Sequence, residues 1–220
     1  MPKNKAMPKD GHNGKTNPQG LYDRLADVQN LAMKLNGYRV SVARYLRSLD
    51  LRLDTNSMVL DAGCGTGIVS MAFQDAALES KRSIALDLSL KSLEVATAEF
   101  NKNKKYAKRI EPVQGNILQM PFADDSFDLV LICGVLEYTP LDDGLREAAR
   151  VLKKGSPLVL LPVKPSLVGS VLELFYNFKI HPLADVRRAA SKYFNIVGNH
   201  EFPITEPISW SKTIFLLEKK

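Results

Sequence analysis

The sequence predicts an α/β fold, a mainly parallel sheet covered by helices on both faces, and three observations predict it. Strand-like and helix-like segments alternate from about residue 57 to residue 163, the pattern of strands joined by crossover helices. Two of the strands, LVLIC (129–133) and LVLLPV (158–163), are apolar throughout, as central strands buried on both sides are. The first strand runs into glycines at 63, 65 and 67, where a ligand can lie directly on the backbone beyond the strand ends and a helix N-terminus follows.

The elements follow in order. From Leu21 to Leu49 apolar residues recur near helical spacing, interrupted at Asn36-Gly37, which predicts two amphipathic helices ahead of the sheet. Then come SMVLDA and a helix from about Ile68 to Leu78, SIALDL and a helix from Ser89 to about Asn101, and IEPVQG. FDLVLICG, a helix from about Leu141 to Leu152, and PLVLLPV complete the alternation. Beyond Val163, Leu167, Val168, Val171, Leu172, Leu174, Phe175 and Phe178 mark an apolar helix, PLADVRRAASKYF another, and WSKTIFLLEK a last, partly exposed strand with Trp210 packing at its edge.

With 220 residues, 45% of them hydrophobic, one core can bury roughly 70% of the unfolded surface, so one principal domain is expected. The first 19 residues are rich in Pro, Gly, Asn and Lys, too polar to offset their ordering entropy; a disordered basic tail is expected there. Of the net charge of +6, Lys3, Lys5, Lys9 and Lys15 against Asp10 supply +3, so the folded part carries little basic excess and nucleic acid is disfavoured as a partner. The basic run from Lys102 to Arg109 reads as a solvated helix end, with a patch that steers an anionic partner as the alternative. Cys64 and Cys133 have no metal or disulfide spacing, which argues against a metal site and for a reducing, cytoplasmic setting. No run approaches the ~20 apolar residues that span a bilayer, so a soluble protein is expected.

Three glycines in one turn are conformationally costly unless close approach requires them. Asp87 stands twenty residues beyond Gly67, at the end of the second strand, where a carboxylate can accept both hydroxyl protons of a ribose. It could also merely cap the next helix. A nicotinamide fingerprint would need its third glycine at Ile68, and the spacing here is G-x-G-x-G with Asp61 before it.

VLDAGCGTG (59–67), ALDLS (85–89), GNILQMPFADDSFDLVLICGVLEY (115–138) and ARVLKKGSPLVLL (149–161), in that order, resemble the successive motifs of class I S-adenosylmethionine-dependent methyltransferases, especially the type 11 group of ubiquinone and menaquinone methyltransferases. The resemblance implies a seven-stranded, mostly parallel Rossmann-like sheet with a reversed last strand. It implies a single methyltransferase domain over 20–220, with lid helices at 20–50 and an inserted cap helix at 164–180. It implies S-adenosylmethionine as cofactor: Asp61, Gly63, Cys64, Gly65 and Gly67 against its methionine portion, Asp87 on the ribose, and Leu88 and Ile117 beside the adenine. Asn116 stands where the family usually has Asp, and its amide oxygen can still accept the adenine amino proton. Cys133 and Gly134 would line the sulfonium and methyl, and Tyr22 would close over the cofactor.

Methyl transfer from a sulfonium chiefly needs alignment, and a base only if the acceptor loses a proton. Glu137 and Tyr138 are the candidates for catalysis; Glu137 reads equally as a solvent-facing loop carboxylate. His181 and His200 read as satisfied or surface histidines, His12 lies in the tail, and Cys133 has no neighbour in sequence to activate it. CGVLEY lacks the Asp/Asn-Pro-Pro-aromatic run of base amino methylation and any Pro-Cys pair. A small apolar or aromatic acceptor such as a quinone, lipid or secondary metabolite is therefore expected, with peripheral membrane contact open to the 167–178 helix. Transfer to RNA or protein, or a non-catalytic binding subunit, are the alternatives, and the oligomeric state is left open.

Overall fold

The computed structural model describes residues 37–176 and 178–220. The expected tail, the first N-terminal helix and Tyr22 fall outside them.

Helix α1 (Tyr38–Ser48) buries Tyr38, Val42, Ala43 and Leu46 on one face and packs on α2 (Ile68–Asp75). The latter follows β1 (Met58–Ala62) and stops at Asp75, three residues before the expected end; Ala77, two residues on, has a φ of 57°. After β2 (Arg82–Asp87), α3 (Leu90–Asn101) is capped by Ser89, whose Oγ accepts the Ser92 amide proton at 3.2 Å. The basic run is not the end of that helix. Asn103 Oδ1 accepts the Lys105 amide proton at 2.9 Å and starts a separate short helix, α4 (Lys104–Arg109), which leads into β3 (Ile110–Gln114).

β4 (Leu129–Cys133), α5 (Leu141–Val151) and β5 (Pro157–Leu161) follow as expected. Then come α6 (Leu167–Tyr176), α7 (Leu183–Ala190), β6 (Phe194–His200) and β7 (Ile214–Lys219). The strands form one sheet in the order β3-β2-β1-β4-β5-β7-β6. Pairing is parallel from β3 through β5, while β7 runs antiparallel to both neighbours.

Expected to be a partly exposed strand, β7 lies instead between β5 and β6. Ile214, Phe215 and Leu217 are buried, because apolar residues occupy both of its parities and need cover on both faces. The edge falls to β6, which is irregular between Ile196 and Gly198. Trp210 is not on a strand: it ends a short 3-10 turn, Pro207–Trp210, half-exposed, its indole N–H donating to Ile204 O at 3.2 Å.

Two cores flank the sheet, one beneath α1, α2 and α3 and the other beneath α5 and α7. On α6, Leu167 is 91% and Leu174 82% exposed, so this apolar face does not pack on the sheet. Among the described residues no helix is long and apolar enough to cross a membrane.

Candidate active site

Strand order reverses between β1 and β4, which makes the carboxyl ends of these two strands the place where a ligand crevice opens in such a sheet. The glycine turn lies there. Gly63 and Cys64 donate their amide protons to Leu86 O at 2.8 and 2.9 Å, tying the turn to the end of β2. Gly63, Gly65 and Gly67 all have positive φ, at 77°, 54° and 80°, where a Cβ is strained.

The three glycines differ in what their missing side chains leave free. A Cβ on Gly63 would come within 2.5 Å of Val135, and one on Gly67 within 2.4 Å of Phe100. Both spaces are filled by the protein's own side chains. Of the three, only Gly65 has a Cβ position that meets nothing within 4 Å, so internal packing accounts for two of the glycines and the third faces open space. Cys64 turns its side chain into the core.

Asp87 holds this turn and still has acceptor capacity. Its Oδ2 accepts the Gly65 amide proton at 2.8 Å and its Oδ1 that of Ser89 at 2.9 Å, leaving a further lone pair on each oxygen. Its carbonyl accepts the Gly115 amide proton at 3.0 Å, which brings the end of β3 alongside. Asn116 is exposed there, with Oδ1 accepting from the Leu118 amide at 2.9 Å. Ile117 is buried, whereas Leu88 is 66% exposed.

Asp61, on β1, is 2% exposed. Ser70 Oγ donates to its Oδ2 at 2.6 Å, while Oδ1 has no hydrogen-bond partner. Burial pushes its carboxyl up to about 7, against the lowering effect of Ser70. Such an orphaned oxygen is suited to a cationic donor.

Across the crevice, Cys133 Sγ lies 3.5 Å from Tyr38 Oη. Burial raises both groups above their ordinary pKa values, so Cys133 is no ready nucleophile. Glu137 is not a solvent-facing loop carboxylate. It is 5% exposed, its Oε1 accepts the Val163 amide proton, and its Oε2 is buried without a partner. Tyr138 is half-exposed and meets the Phe178 ring edge-on at 5.4 Å. His181 lies 3.2 Å from Leu136 O and His200 packs on Tyr45, as satisfied histidines do.

Two residues of the crevice escaped the sequence reading. Tyr38 opens α1, and Lys212 precedes β7 at 5% exposure, its Nζ 2.6 Å from where a Gly134 Cβ would stand. The available signal for Lys212 was a single charge two residues before a strand apolar on both faces.

A switch-point glycine turn, an acidic residue ending β2 and a reversed seventh strand define an α/β enzyme of the nucleoside-cofactor type. Residues 60–160 match the family model described as a methyltransferase domain. Demethylmenaquinone methyltransferase of Lactobacillus johnsonii is 31% identical over 183 residues, 80% of this chain and 72% of that protein. An uncharacterized protein of Methanocaldococcus jannaschii is 34% identical over 166 residues, 71% of this chain and 66% of that protein, just under two thirds of its length. In fold, the chain resembles geranyl diphosphate C-methyltransferase of Streptomyces coelicolor, solved with S-adenosyl-L-homocysteine (TM-score 0.63, 16% identity, 76% of this chain and 71% of that one). The chain belongs to the type 11 methyltransferase-domain family. It is an S-adenosylmethionine-dependent methyltransferase.

Proposed function

We propose that this chain methylates a small apolar or aromatic acceptor, of which quinones are the leading class, in the crevice between β1 and β4. The observation that carries the reading is the orphaned Asp61 oxygen at the end of β1, together with Gly65, the one glycine of the 63–67 turn that opens to free space. S-adenosylmethionine supplies an ammonium for that oxygen, a ribose diol, and a methyl already activated on sulfur.

The chain's own residues then bind, orient and exclude water. Asp61 Oδ1 would accept from the ammonium, Gly65 would let the cofactor's chain lie on the backbone, and the free lone pairs of Asp87 would accept from the ribose. Leu88 and Ile117 would flank the adenine, with Asn116 at its amino edge. Cys133 and Gly134 would wall the reacting carbon, and Tyr38, locked against Cys133, would fix that wall. Glu137, held through one oxygen and unpartnered at the other, is the group that would take a proton from the acceptor. The exposed apolar side of α6, following β5, supports a cap role for 164–180 and uptake of an apolar acceptor at a lipid surface. The similarity to a demethylmenaquinone methyltransferase supports the quinone class.

Calorimetry with S-adenosylhomocysteine, followed by a screen of quinols and phenols with labelled cofactor, tests this reading. Asp87→Ala is expected to weaken S-adenosylhomocysteine at least about tenfold, since a charged acceptor is lost both to the ribose and to the turn. Unchanged affinity would remove the ribose assignment.

A further inference from the structure

Lys212 is the buried charge that the reading above leaves without work. Its side chain is 5% exposed, and among the described residues its ammonium makes neither ion pair nor hydrogen bond. The backbone fixes its place: Val163 and Lys212 form an antiparallel bridge, and the Lys212 amide donates to Ile208 O at 3.0 Å. Its Nζ sits over Gly134, 2.6 Å from where a Cβ would stand, so Gly134, at a φ of 71°, leaves the room that the ammonium takes. The same charge acts on Cys133, favouring thiolate against the larger, opposite effect of burial. Lys212 therefore faces the end of β4.

An ammonium on so buried a side chain, with no ion pair among the described residues, is placed to gain from an anionic partner. The cofactor cannot supply one at this end of the crevice, because its sulfonium is a second cation. Glu137 and Asp61 are the buried carboxylates of the crevice, but neither pairs with Lys212. A negative charge on the other ligand, brought to Gly134, would give Lys212 a direct partner.

The geometry points to Lys212 as the residue that selects the acceptor, by pairing with an ionised oxygen carried close to the methylated atom. This rests on the cofactor placement proposed above and adds an acceptor requirement: a carboxylate, or a phenol or enol bound as its anion. A proton lost from such an oxygen has a place to go in the free oxygen of Glu137. Lys212 is then a binding and positioning residue, and the transfer itself is unchanged.

The test uses the full chain loaded with S-adenosylhomocysteine and three naphthalene probes: 2-naphthoate, 2,4-dinitro-1-naphtholate and neutral 2-naphthamide. Calorimetry is expected to show at least one anion binding about tenfold or more tighter than the amide, the scale of one charge-assisted contact. The stronger of the two anions identifies carboxylate or phenolate as the source. Lys212→Met should bring the preference to within about twofold and Lys212→Arg should keep it, with S-adenosylhomocysteine affinity unchanged in both. A second measurement needs no acceptor: in Lys212→Met the affinity for S-adenosylmethionine relative to S-adenosylhomocysteine should rise several-fold, because a cation facing the sulfonium is gone. The inference is overturned if no anion binds the loaded protein, if anion and amide bind alike, if the preference survives in Lys212→Met, or if the cofactor ratio does not move. A Lys212→Met variant that loses S-adenosylhomocysteine would assign the ammonium to the cofactor's own carboxylate and also overturn it. Wild type that fails to bind S-adenosylhomocysteine would instead remove the cofactor reading on which it stands.

Discussion

At the scale of single residues, Asp61 sets a pH dependence whose sign can be worked out. Its carboxyl is pushed up to about 7 by burial, while in the unfolded chain it would titrate near about 3.9. The folded state therefore keeps a proton that the unfolded state releases. The stability linked to Asp61 is fully present below about pH 4 and is lost as pH rises through about 7. Cofactor binding runs the other way, because only the carboxylate pairs with an ammonium. S-adenosylhomocysteine affinity is expected to fall about tenfold between pH 8 and pH 6, and calorimetry across that range reads it. Asp61→Asn should bind weakly and without the slope; a variant that keeps the slope would place the titrating group elsewhere. Asp61 and Asp87 could be singled out in the sequence because each has a local signal, an acidic position at the end of a strand that runs into a glycine turn or a helix start. Lys212 and Tyr38 could not, because their burial depends on which strands and helices close over them.

At the scale of elements, the glycine turn separates two roles that the spacing alone merges. The pattern G-x-G-x-G was read as close approach by a ligand, yet Val135 and Phe100, far along the chain, fill the places at Gly63 and Gly67. That could not be read locally, since it depends on the 134–138 turn and α3 folding back onto β1's loop. Substitutions separate the roles. Gly63→Ala and Gly67→Ala should each lower stability by on the order of 1–3 kcal/mol through overpacking, with added strain at positive φ. Gly65→Val should lower it less and abolish measurable S-adenosylhomocysteine binding. Urea unfolding and calorimetry on the three variants check this, and Gly65→Val with normal cofactor affinity would count against approach at that position. The placement of β7 carries the same lesson: its apolar run announced a strand, but being inserted between β5 and β6 is a property of the sheet order.

At the scale of the whole molecule, the crevice is assembled from both sides of the strand-order reversal. The half built on β1, β2 and β3 contributes Asp61, Gly65, Asp87 and Asn116; the half built on β4, β5 and β7 contributes Cys133, Gly134, Glu137 and Lys212. These halves share the sheet through the single β1–β4 ladder, Val59 to Ala62 opposite Leu129 to Ile132. A cofactor laid across it as proposed would contact both, so binding should stabilise them together instead of one at a time. At a hundredfold excess over its Kd, S-adenosylhomocysteine should add about 2.7 kcal/mol, a rise in Tm of about 5–10 °C for a chain of this size. Hydrogen exchange with and without S-adenosylhomocysteine tells where the gain resides. Slowed exchange is expected at the 63–67 turn and the 115–118 turn on one side, and at 133–138 on the other. Protection confined to the β1–β3 side would mean that the ligand stops short of Gly134, and the methyl group would then have to be sought away from Cys133, Glu137 and Lys212.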